Sequence, residues 1–227
     1  MKIAITQSNY IPWKGYFDSI KHVDIFVEYD CMQYTKRDWR NRNIIKTAQG
    51  LKWLTIPVEV KGKYFQRIRD TKIADKSWTT SHWDIIKQAY KTAAHFKLES
   101  EWLEGLYKNC NFDYLTDVNL YFIKAINEHL DIHTIIKSSL IYELAEDRTQ
   151  RLVEICKSLK GTDYYSGAAA KSYMELEKFT KEKINVHWWD YSDYPEYEQL
   201  HGNFEHGVSI LDLILNVGHN NVMKYLK

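Results

Sequence analysis

Residues 3–27 have the sequence IAITQSNYIPWKGYFDSIKHVDIFV, and this stretch decides the fold. Residues 3–5 are an apolar run typical of a buried strand, and the polar, turn-prone residues 7–12 end it. Residues 15–21 predict a short helix, and residues 24–27 predict a second strand. A strand, a loop, a helix and a strand form a βαβ unit, which favours a parallel sheet. We therefore predict an α/β protein with a Rossmann-like, mostly parallel sheet and flanking helices.

Further strands are predicted along the rest of the chain from short apolar runs. They cover residues 53–58, 68–74, 133–139, 164–167 and 186–189. Pro57 puts the first of these at a sheet edge or at a strand end, because proline cannot donate to a ladder. The run at residues 68–74 is predicted to be an edge strand.

Helical patterns occupy the remaining segments. Apolar residues at helical spacing between residues 77 and 130 predict a helical insertion into the α/β body. Asp147, with Gln150 three residues later, is a capping-box pattern that predicts another helix, ending near Gly161. The apolar stripe of a C-terminal helix comprises Ile210, Leu213, Ile214 and Val217. No repeat, linker or clear boundary interrupts the chain, so residues 1–227 are predicted to form a single domain.

Composition excludes several classes of protein. The 227 residues include 31 Lys and Arg against 30 Asp and Glu, so no basic field is present to hold a long nucleic acid. Three cysteines without zinc or CxxC spacing are typical of free thiols in a reducing compartment. No apolar run has the length of a membrane span or a signal peptide. We expect a cytoplasmic protein without an integral membrane segment.

The aromatic content of 15%, with 17 Tyr and 8 Trp, leaves two interpretations open. The rings either fill a core and cover the surface, or they build a pocket that stacks sugars or bases.

The loop after the first predicted strand is the first candidate site. Ligands of open α/β sheets bind beyond the carboxyl ends of the strands, where Gln7 and Asn9 would offer amide donors and acceptors. Pro12 stiffens the loop, and Gly15 lets the backbone come close to another group. The alternative is an ordinary turn and helix start.

A cationic segment after the second predicted strand is the second candidate. Its cations are Lys36, Arg37, Arg40, Arg42 and Lys46. Arginine and lysine suit a phosphate or carboxylate, and Trp39 could stack on a base or a sugar. Because this segment begins at the same sheet edge as Asn9, we expect Asn9 and Arg42 to share one anion site. The alternative is a solvated charged loop.

Two later segments complete the candidate site. Ser166 and Gly167 follow a strand and allow close backbone approach, and Lys171 could reach a phosphate, although the spacing is not that of a P-loop and a plain turn remains the alternative. His201 is a candidate general base, although a loop histidine is commonly structural. His187, His206 and His219 show no ligand spacing with it, so no metal site is predicted. The predicted ligand-binding residues are Tyr10, Gly15, Tyr16, Gln33, Lys36, Trp39, Asn41, Arg42, Lys46, Ser166, Gly167, Lys171 and Gln199.

Several motifs together resemble the WbqC-like protein family. The segments that carry the resemblance are residues 7–17, 41–43, 45–47, 53–58, 165–167 with Lys171 and Tyr173, 199–202, and 209–213 with Asn216. They extend over nearly the whole chain. One departure is Ser8, where the family more often has proline.

The resemblance implies a setting in O-antigen and other surface-polysaccharide biosynthesis. It suggests a transferase that modifies a nucleotide-linked amino sugar, by N-acylation or N-aminoacylation of the sugar amine. The partner would be that sugar or another small phosphate-bearing ligand. The cationic segment would hold the diphosphate, and Trp39 or Tyr10 would pack the base or the sugar. His201 would then act as the base, with Asn9 and Gln7 as oxyanion donors.

Two other functions stay open. Gly15 and Tyr16 are similar in placement to the glycine–histidine pair of nucleotidylyltransferases and pantothenate synthetase, which suggests an ATP-dependent ligase or a nucleotidyltransferase that uses ATP with Mg²⁺. Tyr16 replaces the histidine, so this similarity is one of fold only. The other alternative is a non-catalytic protein that binds a nucleotide sugar.

Overall fold

The computed structural model describes residues 1–142 and 145–227 and has the predicted α/β architecture. The strands are β1 (Lys2–Thr6), β2 (Ile25–Glu28), β3 (Arg42–Thr47), β4 (Gly50–Thr55), β5 (Ile135–Ser138), β6 (Asp163–Ser166) and β7 (Asn185–Trp188). The helices are α1 (Lys14–Lys21), α2 (Trp78–Tyr90), α3 (Phe96–Asn109), α4 (Leu115–His129), α5 (Arg148–Ser158), α6 (Leu176–Lys181) and α7 (Ile210–Val217). Short 3₁₀ segments cover Ile68–Asp70, Ser139–Ile141, Ala168–Ser172 and His219–Tyr225.

The main sheet has the strand order β5-β2-β1-β6-β7, and its strands all pair in parallel. The chain starts in the centre at β1, moves outward through β2 to β5, and returns to the other side of β1 at β6. The strand order therefore reverses between β1 and β6. In open parallel sheets, ligands bind beyond the carboxyl ends of the strands at such a point.

Helices cover both faces of the sheet. Side chains alternate between the two faces along each strand, so each strand contributes to two cores. Ile3 and Ile5 pack on one face with the apolar stripe of α5 and with Phe179 of α6. Ala4 and Phe26 pack on the other face with residues of α1, α2, α3, α4 and α7. The helices α2 to α4 occupy the range in which a helical insertion is predicted.

The predicted cap of α5 is confirmed. The Asp147 carboxylate accepts a hydrogen bond from the Gln150 N–H at 2.6 Å. Past the helix, a Cβ on Gly161 would lie 2.3 Å from the end of the Ile3 side chain, so a larger residue there would displace that side chain. No helix in the described part of the chain is long and apolar enough to cross a membrane.

Two strand predictions need correction. The strand predicted at residues 53–58 exists as β4, but it pairs antiparallel with β3 in a separate hairpin. Residues 68–74 form no strand: a 3₁₀ turn is followed by single bridges. The reason is that the Ile68 and Arg69 N–H groups donate to the carbonyls of Met32 and Asp30, which ties this segment to the loop after β2.

Candidate functional site

The loop that follows β1 is fixed at the carboxyl edge of the sheet by a buried acid. The Ser8 N–H and hydroxyl donate to the two carboxylate oxygens of Asp30, at 2.8 and 2.6 Å. The Thr116 hydroxyl of α4 donates to Asp30 at 2.5 Å. Because Ser8 is buried in this network, its neighbours Gln7 and Asn9 are the ones that line cavities, and each lines a different one.

Glu28 extends this network to the neighbouring strand. Its carboxyl accepts from the Asp30 N–H at 2.5 Å and from the Ser138 hydroxyl at 2.8 Å. Burial, and then the charge of Asp30, raise the pKa of Glu28 well above its usual range. The two acids therefore tie together the ends of β1, β2 and β5.

A crevice of about 350 Å³ opens next to this loop, where the strand order reverses. Gln7 lines it from the end of β1, and Ser166 and Gly167 line it from the end of β6. Tyr29, after β2, and Tyr173 add aromatic rings. A Cβ built on Gly167 would meet no atom within 4 Å, so the backbone there borders open space.

The charge that faces the crevice is positive. Arg148, the first residue of α5, lines it, and no salt bridge within the described residues involves this arginine. The cap residue Asp147 is neutralised by Lys178 at 2.9 Å. The positive end of the α5 dipole also lies here, so this corner of the crevice is suited to an anion.

The other polar groups that face the crevice are neutral. Burial raises the pKa of Tyr29 to about 12, so its phenol stays protonated at neutral pH. The Gln7 carbonyl accepts from Tyr16 at 3.1 Å, while no described residue bonds the Gln7 side-chain amide, which can therefore bind a ligand. No Asp, Glu, His or Lys of the described chain lines the crevice, so a Mg²⁺ ion bound there would depend on ligand phosphates.

A second cavity, of about 270 Å³, is lined by Asn9, the residue that follows Ser8. Trp13 and Trp39 line it together with the polar side chains of Asn9, Asn43 and His206. Indole rings beside a few polar groups are typical of sugar-binding pockets.

The chain matches a family model over residues 7–224, and the family is described as the WbqC-like protein family. The chain belongs to the WbqC-like protein family. A protein of Mycobacterium tuberculosis (strain ATCC 25618 / H37Rv), named uncharacterized protein Rv1507c, is 49% identical over 217 residues, which is 96% of this chain and 94% of that protein. No solved structure matches the chain. The second cavity lies inside the matched region, and so does the crevice apart from Ile5 and Thr6.

Some of the residues predicted to bind a ligand are internal in this WbqC-like protein. Tyr10 is fully buried, and its hydroxyl bonds His82 Nδ1 at 2.9 Å and the Tyr107 hydroxyl at 2.7 Å. This burial speaks against direct contact of Tyr10 with a ligand. Tyr16 is also buried and holds the Gln7 carbonyl. The Asn41 amide donates to the Ile56 carbonyl at 2.8 Å.

Lys46 and Gln199 form an internal contact in place of a ligand site. The Lys46 ammonium donates to the Gln199 side-chain oxygen at 2.9 Å, and the Gln199 amide donates to the Tyr197 hydroxyl at 3.0 Å. That hydroxyl donates to Asp212 at 2.7 Å. These side chains fasten the C-terminal segment to the β3–β4 hairpin.

Gly15 has a local reason to be glycine. A Cβ on Gly15 would lie 2.3 Å from the Trp13 indole, so the group that approaches its backbone is Trp13. The Trp13 ring in turn lines the second cavity.

The cationic segment does not converge on one anion. The Arg42 guanidinium carbon lies 4.0 Å from the centre of the Trp53 ring. The centres of the Trp53 and Trp39 rings are 5.2 Å apart. Asn9 accepts a hydrogen bond from Arg40. Lys171 lies 5.5 Å over the Trp188 ring. The expectation that Asn9, Arg42 and Lys171 surround one ligand is therefore replaced by three separate protein contacts.

The remaining predicted residues lie apart from both cavities. Gln33 donates to the Tyr64 carbonyl at 2.8 Å, and Lys36 is exposed. His201 lines another depression, and its Nε2 lies 2.9 Å from the Ala89 carbonyl. The base role of His201 stays a prediction, and a reaction in the crevice would need a different proton acceptor.

The crevice also contains residues that the sequence analysis missed. Tyr29 follows β2 directly, and Arg148 follows the predicted helix cap Asp147. The cap itself was the available signal, because it marks a helix start after β5 and hence a position near the carboxyl edge of the sheet. Tyr173 belongs to a motif that carries the family resemblance, but nothing in the sequence placed its ring at a ligand.

Proposed function

We propose that this protein binds a nucleotide-linked amino sugar in the crevice between β1 and β6 and transfers an acyl or aminoacyl group to the sugar amine. The crevice at the reversal of strand order, lined by the cation Arg148, is the observation that carries this proposal.

The diphosphate would lie at the start of α5. The Arg148 guanidinium can donate two parallel hydrogen bonds to a phosphate, and the helix N–H groups add to the attraction. Gly167 has no side chain to obstruct a ligand, so a phosphate can approach its backbone closely.

The sugar would extend from the crevice toward the second cavity. Gln7 and Asn9 line the two cavities and are separated by one residue, a distance of at most about 7 Å along an extended chain. A nucleotide sugar is long enough to pass such a gap. The base would contact Tyr29 or Tyr173, and the sugar would contact Trp13 or Trp39.

The chemistry assigns further roles to the second cavity. The amine attacks the acyl carbon, a C–N bond forms, the acyl carrier leaves, and the amine proton goes to a base. His206 and Asn9 both line this cavity, which supports His206 as the proton acceptor and Asn9 as a donor to the oxyanion. His201, the base predicted from sequence, lines a different depression.

Binding without turnover is the second candidate function. The crevice presents no Asp, Glu, His or Lys among the described residues, and a pure binding site needs none of them. In that case the protein would hold or deliver the nucleotide sugar.

The two candidates are separated by measuring binding and turnover together. Calorimetry at a fixed ionic strength measures the affinities for dTDP and for a dTDP-amino sugar. ATP with Mg²⁺ is tested as a competing ligand. Mass spectrometry after incubation with acyl and aminoacyl donors detects a new amide. Binding with a new amide supports the transferase, binding without one supports the binding protein, and absence of dTDP-sugar binding overturns both.

Matched variants identify the residues. Arg148→Gln should weaken dTDP binding about 10- to 100-fold, since a hydrogen bond to a charged group contributes about 1.5–3 kcal/mol. Lys36→Gln removes a cation of the exposed loop and should leave affinity unchanged. His206→Gln should abolish amide formation while His201→Gln retains it. If Lys36→Gln weakened binding and His201→Gln abolished amide formation instead, the site would lie at the cationic loop and His201 would be the base.

A further inference from the structure

A carboxylate and two imidazoles meet outside both cavities. The Oε2 atom of Glu99, in α3, lies 2.6 Å from Nε2 of His129, the last residue of α4. Its Oε1 lies 2.8 Å from Nδ1 of His219, the first residue of the 3₁₀ segment after α7. The three ligand atoms lie within 4.8 Å of one another, and the described residues contain one such group.

The carboxylate of this cluster is buried, and its side-chain partners are both imidazoles. The Glu99 side chain is fully buried, and within the described residues only these two histidines lie within ion-pair distance. Buried carboxylates are paired with a cation or coordinate a metal ion, and an ion held by these three side chains would fill that role.

Neighbouring groups hold both imidazoles in place. The Trp102 ring stacks on His129 with the ring centres 3.7 Å apart and the planes 7° from parallel. Gly218 has φ 78°, where glycine is favoured, and a Cβ there would lie 2.6 Å from His95. The turn at Gly218 directs the His219 N–H to Glu99 at 2.9 Å. Such supporting contacts are typical of metal sites, because they orient the ligands before the ion binds.

We propose that Glu99, His129 and His219 bind one divalent transition-metal ion, with Zn²⁺ as the expected ion. Two imidazole nitrogens and one carboxylate oxygen are common zinc ligands. The histidine side chains are 17% and 26% exposed, which leaves a fourth position for water. This proposal is independent of the crevice and of the sugar-modifying activity, and it adds a metal site that the spacing of residues along the sequence does not reveal.

Binding requires a small, defined rearrangement. Tetrahedral coordination at about 2.0–2.1 Å separates ligand atoms by about 3.3 Å, so the imidazoles must withdraw from Glu99 by about 0.7 Å for His129 and about 0.5 Å for His219. Each coordinating nitrogen gives up its proton, either to solvent or to the other nitrogen of its ring. The ion would then connect the C-terminal segment to α3 and α4, across 120 residues of sequence between Glu99 and His219.

The test uses the full chain, stripped with a chelator, and the metal ion alone as the probe. Calorimetry with Zn²⁺ should give one ion per chain. The melting temperature should rise by about 5–10 °C when the ion is present at 100 times its Kd. Co²⁺ should give the visible absorption bands of a tetrahedral site, and Mg²⁺ should give none of these effects.

Variants attribute the effect to the cluster. His129→Gln and His219→Gln should each weaken Zn²⁺ binding at least tenfold and abolish the Co²⁺ bands. His133→Gln is the control, because His133 forms an exposed histidine–carboxylate pair with Asp131 at 2.9 Å, and it should bind as the wild type does. If a His129 or His219 variant fails to fold, the wild-type stoichiometry and Co²⁺ spectrum decide. Absence of wild-type binding, or equal binding by a folded His219→Gln variant, would overturn the proposal and leave a hydrogen-bonded cluster.

Discussion

Gly167 allows the crevice to be filled without disturbing the fold. Its φ of −68° and ψ of 146° are accessible to any residue, and an added Cβ meets no atom within 4 Å. Gly167→Ala should therefore raise the free energy of unfolding by about 0.4–1 kcal/mol, through lower entropy of the unfolded chain. Gly167→Phe should change it by no more than about 0.5 kcal/mol, because its ring extends into open space.

The two variants should differ strongly in ligand binding. The phenyl ring of Gly167→Phe would occupy the space next to Arg148, so the affinity for a nucleoside diphosphate should fall at least 100-fold, or about 2.8 kcal/mol. Gly167→Ala should bind within about threefold of the wild type. Calorimetry measures affinity, and urea denaturation confirms that both variants are folded. A folded Gly167→Phe protein that binds as tightly as Gly167→Ala would refute the crevice as the nucleotide site.

Further predictions concern the network behind the two cavities. Burial lowers the pKa of His82 from 6.5 to about 4, so between these values the unfolded chain binds a proton that the folded chain does not. The free energy of unfolding should therefore fall by about 2 kcal/mol between pH 7 and pH 5. Urea denaturation of His82→Gln should show most of this loss removed. An equal loss in the variant and the wild type would contradict the role of His82. Gly15→Ala should destabilise by about 1–3 kcal/mol in thermal melts because its Cβ displaces Trp13, whereas Gly105→Ala, with nothing within 4 Å, should be neutral or stabilising. Tyr197→Phe should cost about 1–3 kcal/mol in urea by removing the 2.7 Å bond to Asp212, and an unchanged midpoint would show that this bond contributes little.

The central fold could be predicted from the sequence, because apolar runs and helical spacing report burial directly. Residues 3–27 contain the βαβ unit that became β1, α1 and β2. The β3–β4 hairpin was harder to predict, because Arg42 and Lys46 belong to β3 although a charged segment favours a loop. The strand predicted at residues 68–74 was wrong, since Ile68 is buried and Ile73 half-buried without forming a continuous strand.

The candidate site could be predicted only in part. The rule that ligands bind at the carboxyl ends of parallel strands located Gln7, Ser166 and Gly167, all of which line the crevice. Sequence order could not show that Lys46 and Gln199 bond each other, because 153 residues separate them. Polar side chains in motifs can bind a ligand or hold a loop, and only their neighbours distinguish the two roles.

A crystal structure of the protein with a dTDP-amino sugar tests the central claim most directly. We predict that the phosphates lie within about 3 Å of the Arg148 guanidinium, beside the start of α5, with the sugar directed past Ser8 toward Trp39. Phosphates bound instead at Lys36 and Arg37, with Arg148 in solvent and the crevice empty, would contradict the account.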